Sequence, residues 1–131
     1  MILVDTSVWI DHLRRGDDAL AALLDAGRVL AHPFVIGELA LGALQPRELV
    51  LESLDDLPQA TVATDQEVLR VIDRYALWGL GIGYVDAHLL AAARLTPGAA
   101  LWTRDRRLAG AAEKLSLAAE PAATSGTGRS R

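Results

Sequence analysis

The chain has 131 residues, 51% of them apolar, a formal net charge of −4 and no cysteine. That length fits one domain with a real core, and the missing cysteines exclude disulfides and thiolate metal sites. The acidic balance argues against passive nucleic-acid binding through a basic face, but not against an enzyme whose metal ions meet the phosphates. No apolar run is built like a membrane span. Asp5 and Asp11 interrupt the apolar start and no basic residue precedes it, unlike a secretory signal. The expectation is a cytoplasmic protein. Twelve of the 13 basic residues are Arg, with Lys114 the one Lys, which reads as base composition of the genome more than function.

In chain order, residues 2–4 read as a short buried strand. Residues 6–15 read as a helix with Val8, Trp9 and Leu13 on one face and Asp11, Arg14 and Arg15 on the other. Gly16 ends it, Asp17 and Asp18 start a second helix to about Ala26, and Gly27 stops that one. RVLA, 28–31, is a second strand candidate, and Pro33 marks the first turn of a third helix, FVIGELALGAL, ending near Pro46. A short helix over 47–55 and a possible strand, TVA at 61–63, follow. Asp65 caps a predicted helix over 66–78 with Val68, Leu69, Ile72 and Leu77 inward. The turn GLGIG leads into the apolar helix YVDAHLLAAARL. Pro97-Gly98 turns the chain into a strand at 99–102, a helix follows over about 105–115, and a weak last strand lies near 116–119. Short apolar strands alternating with helices predict an α/β fold with a parallel sheet. From about Ala118 the chain turns small, polar and rich in Gly and Pro, which predicts a disordered tail over 118–131.

Four acids stand out. Asp5 follows the strand ILV, and Asp105 follows the strand ending in Trp102, with Thr103 between. Ligands of parallel α/β sheets bind beyond the carboxyl ends of strands, so both acids belong there; both also fit helix N-caps or first turns. Glu38 is the lone charge between Arg28 and Arg47, and Asp86 the lone charge between Arg74 and Arg94 with His counted neutral. A carboxylate in so apolar a helix as Glu38's costs free energy without a cation, whereas Asp86 also suits the positive end of its helix. Four carboxylates converging would repel one another, and divalent cations relieve that. Mg²⁺ and Mn²⁺ prefer carboxylate oxygens and suit phosphodiester hydrolysis. His12, His32 and His88 lack a zinc-like spacing and read as structural or surface residues.

These residues carry a resemblance. MILVDTSVWIDHL, FVIGELALGAL, GYVDAHLLAAA and LWTRDRRL occur in the order found in the PIN-domain ribonucleases, in particular the VapC toxins of bacterial toxin–antitoxin pairs, and cover about residues 1–117. The resemblance implies a three-layer α/β/α sandwich with a small central parallel sheet, and a metal-dependent endoribonuclease acting on single-stranded regions of RNA, transfer RNA among them. It places the family's acid quartet on Asp5, Glu38, Asp86 and Asp105, with Asp5 and Asp86 as direct Mg²⁺ ligands (Mn²⁺ a substitute) and the other two completing the pocket. Thr6 or Ser7, and Thr103, match its supporting hydroxyls. It further implies a cognate VapB-type antitoxin and a homodimer. Arg104, Arg106, Arg107, Arg14 and Arg15 are candidates for gripping RNA phosphates, against the ordinary reading of solvated surface charge. Trp9 and Trp102 read as core, while Trp78 is open between core, dimer contact and antitoxin contact.

Other readings stay open at this point. A haloacid-dehalogenase-like phosphatase wants a second Asp where Ser7 stands, and a receiver-type domain wants a Lys nearer its acids than Lys114. A PIN nuclease of RNA processing, or a PIN module that only binds a partner, remains; the intact quartet counts against the latter.

Overall fold

A computed structural model of the chain describes residues 1–119 and residue 121. Three short strands, β1 (Ile2–Val4), β2 (Val29–Leu30) and β3 (Ala100–Trp102), form a parallel sheet in the order β2-β1-β3. β1 lies central because its three residues are apolar and buried on both faces, with Leu3 and Val4 fully inaccessible. Ile2 pairs with Val29 on one side and with Ala100 on the other, and Val4 pairs with Trp102. The chain leaves β1 toward β2 in one direction and later reaches β3 in the other. The carboxyl end of β1 is therefore the point where the topology switches, the place such sheets use for ligands.

Among the described residues seven helices cover the sheet, giving a three-layer α/β/α arrangement: α1 (Thr6–Arg15), α2 (Asp18–Asp25), α3 (Pro33–Ala40), α4 (Arg47–Asp55), α5 (Asp65–Arg74), α6 (Tyr84–Leu95) and α7 (Arg106–Lys114). α6 is the most deeply buried, with Ala87 through Ala93 all enclosed, which is why its sequence runs apolar all round. Trp9 and Trp102 are core residues, as expected; Trp78 is 65% exposed and so is not core.

Several sequence expectations need correction. α3 stops at Ala40 and does not run to Leu44. Leu41 is almost fully exposed, so another turn buries nothing, and Arg47 Nη1 donates to the open Ala40 carbonyl at 2.7 Å. Residues 61–63 form no strand: Ala31 instead pairs one step upstream, with Pro58 and Ala60, while Thr61 N turns away to Thr96 Oγ1 at 2.9 Å. Thr64, not Asp65, caps α5, because Thr64 and Glu67 complete a reciprocal capping box. α5 also ends at Arg74, short of the expected 78, and Leu69 faces solvent. The weak last strand shrinks to one bridge between Leu101 and Ala118, held by hydrogen bonds to Leu117 and from Ala119. The expected disordered tail over 118–131 thus begins with two residues joined to the sheet; beyond them, residue 121 apart, it lies outside the described residues.

Among the described residues no helix is long and apolar enough to cross a membrane.

Candidate active site

The site grows from the ends of β1 and β3. Asp5 N donates to the Trp102 carbonyl at 2.9 Å, which extends the strand pairing one residue past β1. Asp5 then takes the N-cap position of α1 with extended backbone, yet its carboxylate caps nothing. The plain cap reading fails here. The side chain is only 7% exposed, and a single oxygen, Oδ2, accepts from Ser7 Oγ at 2.8 Å and from Thr103 Oγ1 at 2.7 Å. Ser7 Oγ in turn accepts from Arg104 N at 3.0 Å, and Thr103 Oγ1 accepts from Asp105 N at 3.0 Å. Two hydroxyls thus tie the two strand ends into one network and fix the Asp5 carboxylate by its Oδ2.

Asp105 does cap: its Oδ1 accepts from Arg107 N at 2.9 Å and Leu108 N at 3.2 Å at the start of α7. The residue is exposed, and the cap occupies one of its two oxygens.

Glu38 corrects a sequence argument. It was expected inside a buried helix, but it lies on the exposed side of α3, with Phe34 and Gly37 also exposed and Val35 and Leu39 buried. Phe34, Gly37 and Glu38 form a narrow solvent-facing stripe on α3, and it opens toward the site. Thr6 Oγ1, in the first turn of α1, donates to Glu38 Oε1 at 2.7 Å. Helices α1 and α3 are in contact, so the start of α1 just past the strand end also holds this acid.

Asp86 is half-buried in the first turn of α6, where its Oδ2 accepts from Gly83 N at 3.0 Å. Its helix-end reading is therefore right as far as it goes. Burial pushes the Asp86 carboxyl above its ordinary value, and the charges of Asp5, Asp105 and Glu38 push the same way against the Gly83 hydrogen bond. The fold therefore brings Asp5, Glu38 and Asp105 within electrostatic reach of Asp86.

Among the described residues no three acids or imidazoles close into a ready-made cage for a metal ion. The donor set still fits a hard, hydrated cation: carboxylates with oxygens left over after their protein hydrogen bonds, beside hydroxyls. Mg²⁺ keeps several waters and takes one or two carboxylates in most sites, so it needs no cage.

The arginines divide. Arg104 was a candidate for phosphate, but its guanidinium is spent on Asp11, at 2.5 Å, and on Asp17, and lies over the Trp102 ring with 5.5 Å to the centroid. Burial raises the Asp17 carboxyl, but the Arg104 hydrogen bond, with Leu20 N and the Arg104 charge, brings it below its ordinary value. Arg104 clasps α1 and α2 to the β3–α7 loop. Arg15 pairs with Asp11 at 3.5 Å. Arg14 lines a groove with Glu38. Arg106 and Arg107 are exposed. Arg107 lies across the turn before α6: a Cβ on Gly81, at φ 79°, would sit 2.8 Å from its Nη1. Glycine there lets the guanidinium rest on the backbone close to the Asp86 helix.

Sequence reasoning missed one cluster. His32 and His88, read as structural or surface, are both buried. They gather Phe34, Tyr84 and Asp65 around them: Tyr84 Oη donates to Asp65 Oδ1 at 2.8 Å, and His88 Nε2 lies 3.1 Å from the same oxygen. The Tyr84–His88 spacing of four on α6 was the readable signal; the contribution of α3 was not.

Residues 2–114 match the family profile of the PIN domain. The chain is also 52% identical over 118 residues to Ribonuclease VapC32 of Mycobacterium tuberculosis, in strain CDC 1551 / Oshkosh and in strain ATCC 25618 / H37Rv alike, covering 90% of this chain and 95% of each relative. With the parallel sheet, the switch-point acids and these matches in place, the chain belongs to the PIN-domain family, among its VapC members.

Proposed function

We propose that this protein is a metal-dependent endoribonuclease, the toxin of a type II toxin–antitoxin pair, which hydrolyses phosphodiester bonds in single-stranded regions of RNA, with transfer RNA among its targets. One observation carries the reading: Asp5, Glu38 and Asp105, from three other segments, lie close enough to Asp86 for their charges to add to the burial that raises its carboxyl. An uncompensated acidic pocket costs stability; its use is to hold cations against a polyanion. The relatives' name, Ribonuclease VapC32, supports the same activity.

In this reading Asp5 and Asp86 would hold Mg²⁺, or Mn²⁺ in its place, and Glu38 and Asp105 would complete the pocket, some through water. When bound, the cation offsets phosphate charge and lowers the pKa of a coordinated water. The chain does the rest. Ser7 and Thr103 keep Asp5 in one orientation, Thr6 does so for Glu38, and none of the three attacks the substrate. Arg107, with Arg106 and Arg14, meets RNA phosphates at the rim; Arg104 and Arg15 hold the scaffold.

A VapB-type antitoxin completes the reading. A groove of about 420 Å³ beside Glu38, lined by Ile10, Leu13, Leu39 and Leu44, offers an apolar peptide a seat at the edge of the acids. The toxin acts in the cytoplasm as a homodimer, as VapC proteins commonly do.

The test is cleavage of total cellular RNA by purified, antitoxin-free protein with Mg²⁺, with Mn²⁺ and with excess chelator, against Asp86→Ala. Discrete metal-dependent fragments, absent from the variant, are expected. No cleavage by folded, metal-supplied protein would refute the reading.

A further inference from the structure

We propose that the exposed faces of Phe34 and Tyr84 form a stacking subsite for one unpaired nucleobase of the RNA, beside the acidic pocket. The proposal rests on the ribonuclease reading above and adds to it a place where a base is held.

Both rings are exposed and anchored at once. Phe34 is 37% and Tyr84 47% exposed. The Phe34 ring centroid lies 5.2 Å from that of His32 and 4.7 Å from that of His88. Tyr84 stands perpendicular to His88 at 4.8 Å, with its hydroxyl donating to Asp65. His88 is itself buried and bonded to the same Asp65 oxygen. Phe34 N donates to His32 Nδ1 at 3.0 Å, fixing the start of α3. Neither ring has to be ordered when a ligand arrives, which is the main saving a preformed stacking surface offers.

The two rings also sit at the reacting end of the molecule. Phe34 and Glu38 are four residues apart on α3 and share its exposed face. Tyr84 shares the first turn of α6 with Asp86. Charge selects the ligand. The ionisable groups around the rings are the carboxylates of Glu38, Asp86 and Asp65, the last with a side chain 79% exposed, and the buried imidazoles of His32 and His88. The exposed charges at the rings themselves, Glu38 and Asp65, are negative and disfavour a phosphate there, while the neutral face of a base is not disfavoured. Every base has such a face, and only an unpaired one turns it outward.

The closing experiment is a cycle in protein and RNA. The RNA is a short single strand containing the mapped cleavage position, together with a set in which one base at a time is removed around the scissile bond. With the full wild-type chain, one abasic position is expected to lower kcat/KM about tenfold to a hundredfold, the worth of one base stacked on an aromatic residue. Phe34→Leu combined with Tyr84→Leu is expected to lose the same factor on intact RNA and to lose nothing more at that abasic position. Should the double variant misfold, Phe34→Leu alone runs the same cycle with Tyr84, Asp65 and His88 still in contact. An abasic substitution that costs the variant the same further factor as it costs wild type would overturn the subsite and leave the ribonuclease reading standing. Wild-type protein that cleaves no RNA would overturn both.

Discussion

The two halves of the acidic site are built differently. On the strand side, Asp5 and Asp105 each receive two hydrogen bonds from the chain, Asp5 from two hydroxyls and Asp105 from two backbone N–H groups. On the helix side, Glu38 has one donor, Thr6, and Asp86 has one, Gly83 N, while burial and three neighbouring carboxylates work against the charge of Asp86. The strand side is preorganised and satisfied by the protein. The helix side holds repulsion that the protein leaves unresolved and that a bound cation would relieve. A rigid sheet sets position, and the helices bring the excess charge.

The largest expected effect breaks the strand side. Asp5→Asn should lower RNA cleavage by more than about 100-fold, beyond the range that outer-shell partners cost, while the circular dichroism spectrum stays unchanged. An Asn oxygen can still accept from Ser7 and Thr103, so the network survives and the ligand charge does not. Normal cleavage by a folded variant would remove Asp5 from the mechanism. Next comes Thr103→Val, which takes one donor from Asp5 and the acceptor from Asp105 N. Cleavage is expected to fall about 10–100-fold, with the requirement for added metal shifted to higher concentration. An unchanged metal titration would show that the hydroxyl has no part in holding Asp5.

The contrast also marks how much could be read in advance. Asp5, Thr103 and Asp105 were legible because strand, hydroxyl, acid and helix succeed one another within a few residues, and their logic is local. Glu38 was singled out by an argument from burial that the packing does not support. The apolar letters around it promised burial, and only the packing of α3 shows that Phe34, Gly37 and Glu38 form the open stripe. The pairing of Arg104 could not be read in advance because its two acids, Asp11 and Asp17, lie almost 90 residues or more away in sequence. The pairing of Phe34 with His88 depends on how α3 meets α6, which no spacing within either segment encodes. Strand 61–63 failed on a competition: Thr96 claims Thr61 N before the sheet does.

A smaller effect concerns the start of α3, which presents both Glu38 and Phe34. Burial, and then the neighbouring His88, push the His32 imidazole down from 6.5 to about 4. A histidine held neutral by the fold contributes stability that is fully present above 6.5 and is lost as pH falls toward 4. The thermal midpoint should therefore drop across that window. His32→Asn keeps an acceptor for Phe34 N and should flatten the drop. An equally steep fall in the variant would assign acid sensitivity elsewhere.

The smallest effect tests the helix side directly. An acid whose folded value is raised binds its proton more tightly in the native state, so its ionisation costs stability as pH climbs from 3.8 through the raised value. Asp86→Asn removes that cost and keeps an acceptor for Gly83 N. Without metal, the variant should be more stable than wild type at neutral pH by less than about 1 kcal/mol, since the site is partly open to solvent, and the gain should vanish below 3.8. Millimolar Mg²⁺ should then stabilise wild type more than the variant, because a ligand that binds only the native state adds to its stability. The variant loses part of the site that binds it. Thermal unfolding at two pH values, with and without Mg²⁺, reads all four corners. A variant less stable than wild type at neutral pH in chelator would show that Asp86 is satisfied like its strand-side neighbours, and the division of the site into a settled and an unsettled half would fall.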